Sequence, residues 1–208
     1  MKTYIIYLIR HAVNEFADKG RYIGHTDVSL SEEGRAELNQ LNDDYGYPYV
    51  ESVFSSPLKR CTETAKIIYP EKEPIIIEAL SEMNFGEFEN KTAADLQGNE
   101  DFALWLEGKS APPFGETSNA FGQRVCGAFE KIIDGMMRSG VFTSAVITHA
   151  GVIGSILAAY GLPQAPMHEW FTPNCCGYTL RVDPALWMRN KKFEVFAKIP
   201  EDSSSGTS

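Results

Sequence analysis

Two short apolar stretches of this chain each end in a histidine. Tyr4-Ile5-Ile6-Tyr7-Leu8-Ile9 leads into Arg10-His11, and Ser144-Ala145-Val146-Ile147-Thr148 leads into His149. An apolar run of this length, rich in β-branched and aromatic residues and bounded by polar ones, reads as a strand buried on both faces. Strands of that kind present ligand-handling groups at their carboxyl ends. Arg60 falls in the first turn of a predicted helix, and the amides of Ala150 and Gly151 open the helix behind His149. Two guanidiniums, two imidazoles and unpaired helix-start amides suit a doubly charged tetrahedral oxyanion, which arginine meets with a planar fork of donors. A neutral histidine can attack such a phosphoryl group if one ring nitrogen is held by a hydrogen bond and the other is free. The leaving alkoxide then needs a proton. A carboxylic acid kept protonated by nearby negative charge can supply it.

The elements that must position these groups follow from the same patterning. A polar loop (residues 12–29) precedes a helix capped by Ser31 and running to about residue 41. A strand over residues 50–55, a helix from Ser55-Ser56-Pro57 through residue 68 and a strand over 74–78 come next. Residues 80–90 read as irregular, 92–96 and 101–106 as short helices, and the Pro- and Gly-bearing stretch 108–117 as a loop. Phe121, Val125, Phe129, Ile132 and Ile133 recur at helical spacing, which predicts a helix over 118–138. The strand 144–148 and a helix over 151–160 lead to a loop over 163–173. Residues 175–182 and 192–199 read as an antiparallel edge pair. Strand-helix alternation of this sort specifies an α/β fold with a mainly parallel sheet and right-handed crossovers. Residues 1–200 fit a single domain with a cap insert at about 91–117, and the Ser-rich residues 201–208 read as a disordered tail.

Composition narrows the function classes. The chain has 208 residues, 43% hydrophobic and 23% charged, a balance usual for globular proteins. No apolar run approaches the roughly 20 residues of a membrane span. No basic-then-apolar leader precedes Arg10, so a cytoplasmic location without membrane association is expected. The net charge of -9 argues against a nucleic-acid partner. It also means that an anionic substrate must be met by locally concentrated cations. The four cysteines, Cys61, Cys126, Cys175 and Cys176, lack zinc-site spacing and read as packed thiols. No metal or cofactor motif occurs.

Leu8-Ile9-Arg10-His11, Ser55-Ser56-Pro57-Leu58-Lys59-Arg60, Leu80-Ser81-Glu82-Met83-Asn84-Phe85-Gly86 and Thr148-His149-Ala150-Gly151, in this order, resemble the histidine phosphatase superfamily in its phosphoglycerate mutase-like branch. The resemblance covers residues 4 to about 182. It implies a mainly parallel sheet with helices on both faces and His11 as a phosphorylated nucleophile. It implies that Arg10, Arg60 and His149 grip phosphoryl oxygens and that Glu82 is the proton donor. It also implies that groups at Asn14, Ile23 and Gly24 contact phosphate or substrate. No metal is expected to take part. Met83 to Glu89 and Phe114-Gly115-Glu116-Thr117 resemble stretches of α-ribazole phosphatases and broad-specificity relatives. Residues 91–117, with Phe102, Trp105 and Phe114, are expected to cap the pocket.

Three positions depart from the family pattern: Ala12 where Gly is usual, Val13 where Glu is frequent and Ala17 where Asn is frequent. A methyl at Ala12 limits how closely backbone approaches a phosphate. The short chain and its tail after residue 199 favour hydrolysis of a small phosphoester over mutase chemistry. A phosphoglycerate mutase and a non-catalytic phospho-ligand binder are the alternatives. His25, His168 and Arg21 read as loop residues, Arg21 either as a solvated cation or as an addition to the cationic field. Cys175 and Arg181 have the Cys-x5-Arg spacing of cysteine phosphatases, but residues 177–182 alternate like a strand and do not form an amide cradle.

Overall fold

The first apolar run is strand β1 (Tyr4–Arg10) in the computed structural model, which describes residues 2–16, 20–170 and 172–200. Ala17 and the 201–208 tail lie outside the described residues. Ile6, Leu8 and Ile9 are fully buried, because both faces of β1 are covered. Its neighbours are β4 (Thr143–Thr148), parallel, and β6 (Gly177–Val182), antiparallel. The β1–β4 register sets Arg10 opposite Thr148, and the His11 amide donates to the Thr148 carbonyl at 3.0 Å. The two histidines that follow the strands therefore leave the sheet side by side.

Strand β2 (Ser52–Ser55) pairs with the other edge of β4, and β3 (Ile75–Ile76) pairs with β2. Beyond β6 lie β7 (Phe193–Ile199) and the two-residue β5 (Gly161–Leu162). Among the described residues the order is β3-β2-β4-β1-β6-β7-β5, and β6 alone runs against the rest. Helices α1 (Glu32–Asp44) and α2 (Lys59–Ile68) cover one face, where Leu38, Cys61, Ala65 and Ile68 pack with Ile9, Ala145 and Ile147. Helices α4 (Ser118–Ser139) and α5 (Ala150–Tyr160) cover the other, with Phe129, Ile133, Ile153 and Leu157 against Ile6, Leu8 and Val146. The chain thus leaves β1 toward one face and β4 toward the other. The crevice opened by such a reversal is where open α/β sheets place their ligands.

Local chemistry explains the helix starts. Ser31 caps α1 by accepting from the Gly34 amide, and Glu32 and Glu33 occupy the first turn. A Cβ at Gly34 would stand 2.2 Å from the Val13 carbonyl oxygen, so this glycine lets α1 press on the backbone that follows His11. Thr117 caps α4, and Gly140, in the left-handed region at φ 69°, ends it. Helix α3 (Glu100–Leu106) starts on Asn99.

Several elements differ from expectation. Helix α2 starts at Lys59, after Pro57, and its first amide is capped from outside by Asp27 Oδ1 at 2.8 Å. Residues 92–96 are not a helix: Thr92 forms an isolated bridge with Arg21, and the reciprocal Thr92 and Asp95 hydrogen bonds close a run of turns. The third strand is only Ile75–Ile76, followed by a 3-10 turn at Glu78–Leu80. Strand β6 is interior, between β1 and β7, so the expected edge pair is half a central pair. Helix α6 (Pro184–Asn190) was not anticipated, although Asp183 followed by Pro184 is a helix-start signal. Phe88, Leu96 and Phe102, with Tyr22, Phe85 and Trp105 against them, make a small separate core within and beside the 91–117 stretch. Phe114 is outside it and 88% exposed.

Candidate active site

Arg10, His11 and Asn14 from the end of β1, Ile23 from the following loop, Glu82, His149 and Ala150 line one cavity of about 200 Å³. Arg21 and Asn174 complete its wall. The His11 and His149 rings lie edge to face with centroids 5.1 Å apart.

His11 is almost fully buried, and its Nδ1 is 2.7 Å from the Ala12 carbonyl. A carbonyl only accepts, so Nδ1 carries the proton and Nε2 keeps its lone pair. Burial, with the positive charges of Arg60 and Arg10, pulls the His11 pKa down to about 3, although the Ala12 carbonyl works the other way. The imidazole is therefore neutral at physiological pH. His149 is equally buried and held well below its usual value by burial, then by Arg60. Arg60 Nε donates to its Nδ1 at 3.3 Å, which leaves the proton on Nε2, 2.9 Å from Ser56 Oγ.

The carboxyl of Glu82 accepts from the Met83 amide at 2.9 Å and the Gly151 amide at 3.0 Å. Burial raises its pKa against the pull of those amides and of Arg60 and Arg10. Its two rivals in the sequence do other things. Glu87 is exposed, and Glu89 accepts from the amides of Gly24, His25, Thr26 and Phe85 and from the Thr26 hydroxyl, which ties down the 24–26 loop.

Arg10 donates from Nη1 to the Thr172 carbonyl at 2.7 Å, and its buried Nε has no partner. Arg21 likewise donates to the Asn90 carbonyl and keeps an unpartnered buried Nε. A buried N–H without an acceptor is costly unless a ligand supplies one. Arg21 is thus a wall residue where the sequence allowed a solvated loop cation. Asn174, which donates to the His11 carbonyl at 2.8 Å, carried no signal in the sequence.

Two expected contact residues stand outside the cavity. Arg60 is 1% exposed, and besides His149 it donates to the carbonyls of Thr26 at 2.9 Å and Gly24 at 2.7 Å. It holds the wall from behind. Gly24 packs on the 83–89 segment, where a Cβ would lie 1.8 Å from the Met83 carbonyl oxygen. Ala12 does not face the cavity either. Its methyl joins the α1–α2 core and its amide donates to Thr64 Oγ1 at 3.0 Å. Val13 also lies off the cavity wall, its carbonyl accepting from the Ser31 amide.

The cysteine alternative has no site. Burial pushes the Cys175 thiol up to about 12, and Arg181 on β6 pairs with Glu194 on β7 at 3.0 Å. His25 and His168 are exposed. Among the described residues no three His, Cys, Asp or Glu side chains converge as metal ligands, and no helix is long and apolar enough to cross a membrane.

The profile of the histidine phosphatase superfamily (branch 1) matches residues 6–191. Phosphoserine phosphatase 1 of Hydrogenobacter thermophilus is 30% identical over 133 residues, covering 61% of this chain and 63% of that protein. The 2,3-bisphosphoglycerate-dependent phosphoglycerate mutase of Nocardia farcinica is 30% identical over 122 residues, covering 53% of this chain and 49% of the mutase. The chain thus spans about half the length of that mutase. The crystal structure of the α-ribazole phosphatase from Shigella flexneri shares the fold, with a TM-score of 0.77 at 24% identity over 93% of this chain and 95% of that one.

Proposed function

The chain belongs to branch 1 of the histidine phosphatase superfamily, and on that premise we propose that it hydrolyses a small-molecule phosphomonoester through a phosphohistidine on His11. The observation that carries this reading is the pairing of a neutral His11, its Nδ1 fixed on the Ala12 carbonyl, with a Glu82 carboxyl of raised pKa on the same cavity wall. A nucleophile held neutral and an acid held protonated by their environments suit a reaction that needs both at once.

In the first step His11 Nε2 attacks phosphorus. The phosphorus–oxygen bond to the leaving group breaks, and Glu82 gives its proton to that oxygen. In the second, water attacks phosphorus and the bond from phosphorus to His11 Nε2 breaks. Glu82, now a carboxylate, takes the water proton, and inorganic phosphate leaves with Nε2 restored. Arg10 and Arg21, each with an unpartnered Nε, and the α5 amide of Ala150 offer charge and donors to the phosphoryl oxygens. Arg60 acts through others. It orients His149, ties down the Gly24 and Thr26 carbonyls, and helps hold both imidazoles neutral. Ala12 is compatible with this chemistry because its methyl points away from the phosphate.

The test is acid-quenched labelling with a phosphorus-labelled aryl phosphate in excess chelator. Acid-labile label that is lost in His11→Asn, with steady release of inorganic phosphate, is expected. Conversion of 3-phosphoglycerate to 2-phosphoglycerate without free phosphate would replace hydrolysis by mutase chemistry. Tight phosphate binding without turnover of phosphoserine, α-ribazole phosphate or any other phosphoester would reduce the protein to a binding module.

A further inference from the structure

A second recess of about 400 Å³ opens beside the cavity, lined by Ala150, Gly151, Met167, His168 and Trp170. Ala150 belongs to both walls, so the two spaces meet at the first turn of α5. We infer that this recess receives the leaving group and that the substrate's alcohol carries an apolar, ring-bearing portion. The inference rests on the phosphatase reading of the adjoining cavity.

The geometry at Glu82 supplies the direction. Its Oε2 accepts from the Gly151 amide at 3.0 Å, and a Cβ on Gly151 would stand 2.3 Å from its Oε1. The carboxyl therefore rests on the residue that floors the recess. A leaving-group oxygen within reach of that acid has its carbon chain at the recess mouth.

The walls are built, not incidental. Met167 packs onto α5 where Gly154 has no side chain, since a Cβ there would be 2.9 Å from Met167 Cγ. Trp170 stands edge-on to Tyr178 with centroids 5.6 Å apart, and its Nε1 donates to the Ala165 carbonyl. Both wall residues are thus oriented before any ligand arrives. The same segment holds Arg10 through the Thr172 carbonyl, so recess and phosphate grip share one support. Among the described residues the chemistry of the wall is a thioether, an indole, an imidazole from His168 and helix backbone. Such a surface rewards a ring by apolar contact and by sulfur and π contacts. Among the described residues no Lys, Arg, Asp or Glu lines it to pair with the ammonium and carboxylate of a phosphoamino acid.

The discriminating comparison is 2-phenylethyl phosphate against ethyl phosphate, whose alcohols have similar basicity, with phosphoserine as a third substrate. Burying a phenyl group is worth about tenfold or more in kcat/KM. The wild-type ratio of phenylethyl to ethyl should reach at least about ten, with phosphoserine below the phenylethyl ester. The ratio should fall toward unity in Trp170→Ala and in Met167→Ser, the second a half-exposed position at which misfolding is not expected. A wild-type ratio near one, or a ratio unchanged in both variants, sinks the recess as a leaving-group site while leaving phosphatase chemistry standing. Absence of turnover on all three esters, with no acid-labile label, would remove the underlying reading and this inference with it.

Discussion

His11 and Glu82 are an ordinary imidazole and an ordinary carboxyl moved in opposite directions from the usual acid-base partition by where they sit. Burial and two guanidiniums keep the first uncharged down to about pH 3, and burial keeps the second protonated to higher pH than a free carboxyl. The acid limb of kcat/KM should therefore lie near the His11 value. The alkaline limb should follow loss of the Glu82 proton, so activity falls as pH rises through that raised pKa. Glu82→Gln should lower kcat/KM on an alkyl phosphate at least about 100-fold. The loss should be smaller on p-nitrophenyl phosphate, whose leaving group needs no proton, and the alkaline limb should disappear. Equal losses on both esters, with that limb retained, would remove Glu82 as the acid. Much of this site was legible, because strand-end histidines and a helix-start arginine are local patterns. What could not be read was which polar atoms are spent inside the protein. Arg60 has three N–H groups on protein acceptors and His149 has both nitrogens engaged, whereas Arg21 keeps a buried Nε free. Such assignments depend on residues 34 to 93 positions away, which no spacing rule reaches.

At the scale of elements, the loop between β1 and α1 is anchored by Ala12, Val28 and Leu30 at its ends, and a single side chain ties down the 24–26 stretch between them. Glu89 accepts from three consecutive amides, Gly24, His25 and Thr26, and from the Phe85 amide. Removing an acceptor that serves several amides leaves donors unsatisfied at about 1–3 kcal/mol for each buried group. Glu89→Ala should cost on the order of 2–4 kcal/mol. It should raise KM more than it lowers kcat, because Ile23 and Arg21 are carried by the same loop. Urea midpoints and hydrogen exchange at residues 24–26 measure this, and unaltered protection of those amides would show that the clamp is idle. The elements that sequence patterning recovered, β1, β2, β4, β6, β7 and helices α1 to α5, carry local signals: an apolar run, helical spacing or a cap residue. Those it missed were short or set by pairing. The strand β5 has two residues, and α6 has seven behind an Asp-Pro start. The placement of β6 between β1 and β7 is a choice of neighbour that its own alternation does not encode.

The whole molecule carries a net charge of -9 yet gathers Arg10, Arg21 and Arg60 in and behind one cavity, so the local field at the phosphate site opposes the global one. The strand–helix alternation predicted the α/β class. The sheet order that lets β1 and β4 release two histidines together is a long-range fact, and it concentrates ionisable groups where water is scarce. That concentration links function to stability. A histidine whose folded-state pKa is depressed binds its proton more readily when unfolded, at about 6.5. Its contribution to stability is complete above pH 6.5 and is lost as pH falls toward its folded value, about 3 for His11. The slope is about 1.4 kcal/mol per pH unit for each such group. His149, depressed in the same direction, adds to it. Glu82 works the other way, since its raised pKa costs stability only as pH rises through that value. The protein should therefore lose stability between pH 6.5 and 4 faster than its exposed carboxylates alone would require. His11→Asn should flatten that decline by one proton's slope while leaving the neutral-pH value little changed. Urea unfolding of both proteins at half-unit intervals gives the two slopes. Parallel curves would mean that His11 titrates in the folded enzyme near its unfolded value, so that burial and the two guanidiniums do not depress it.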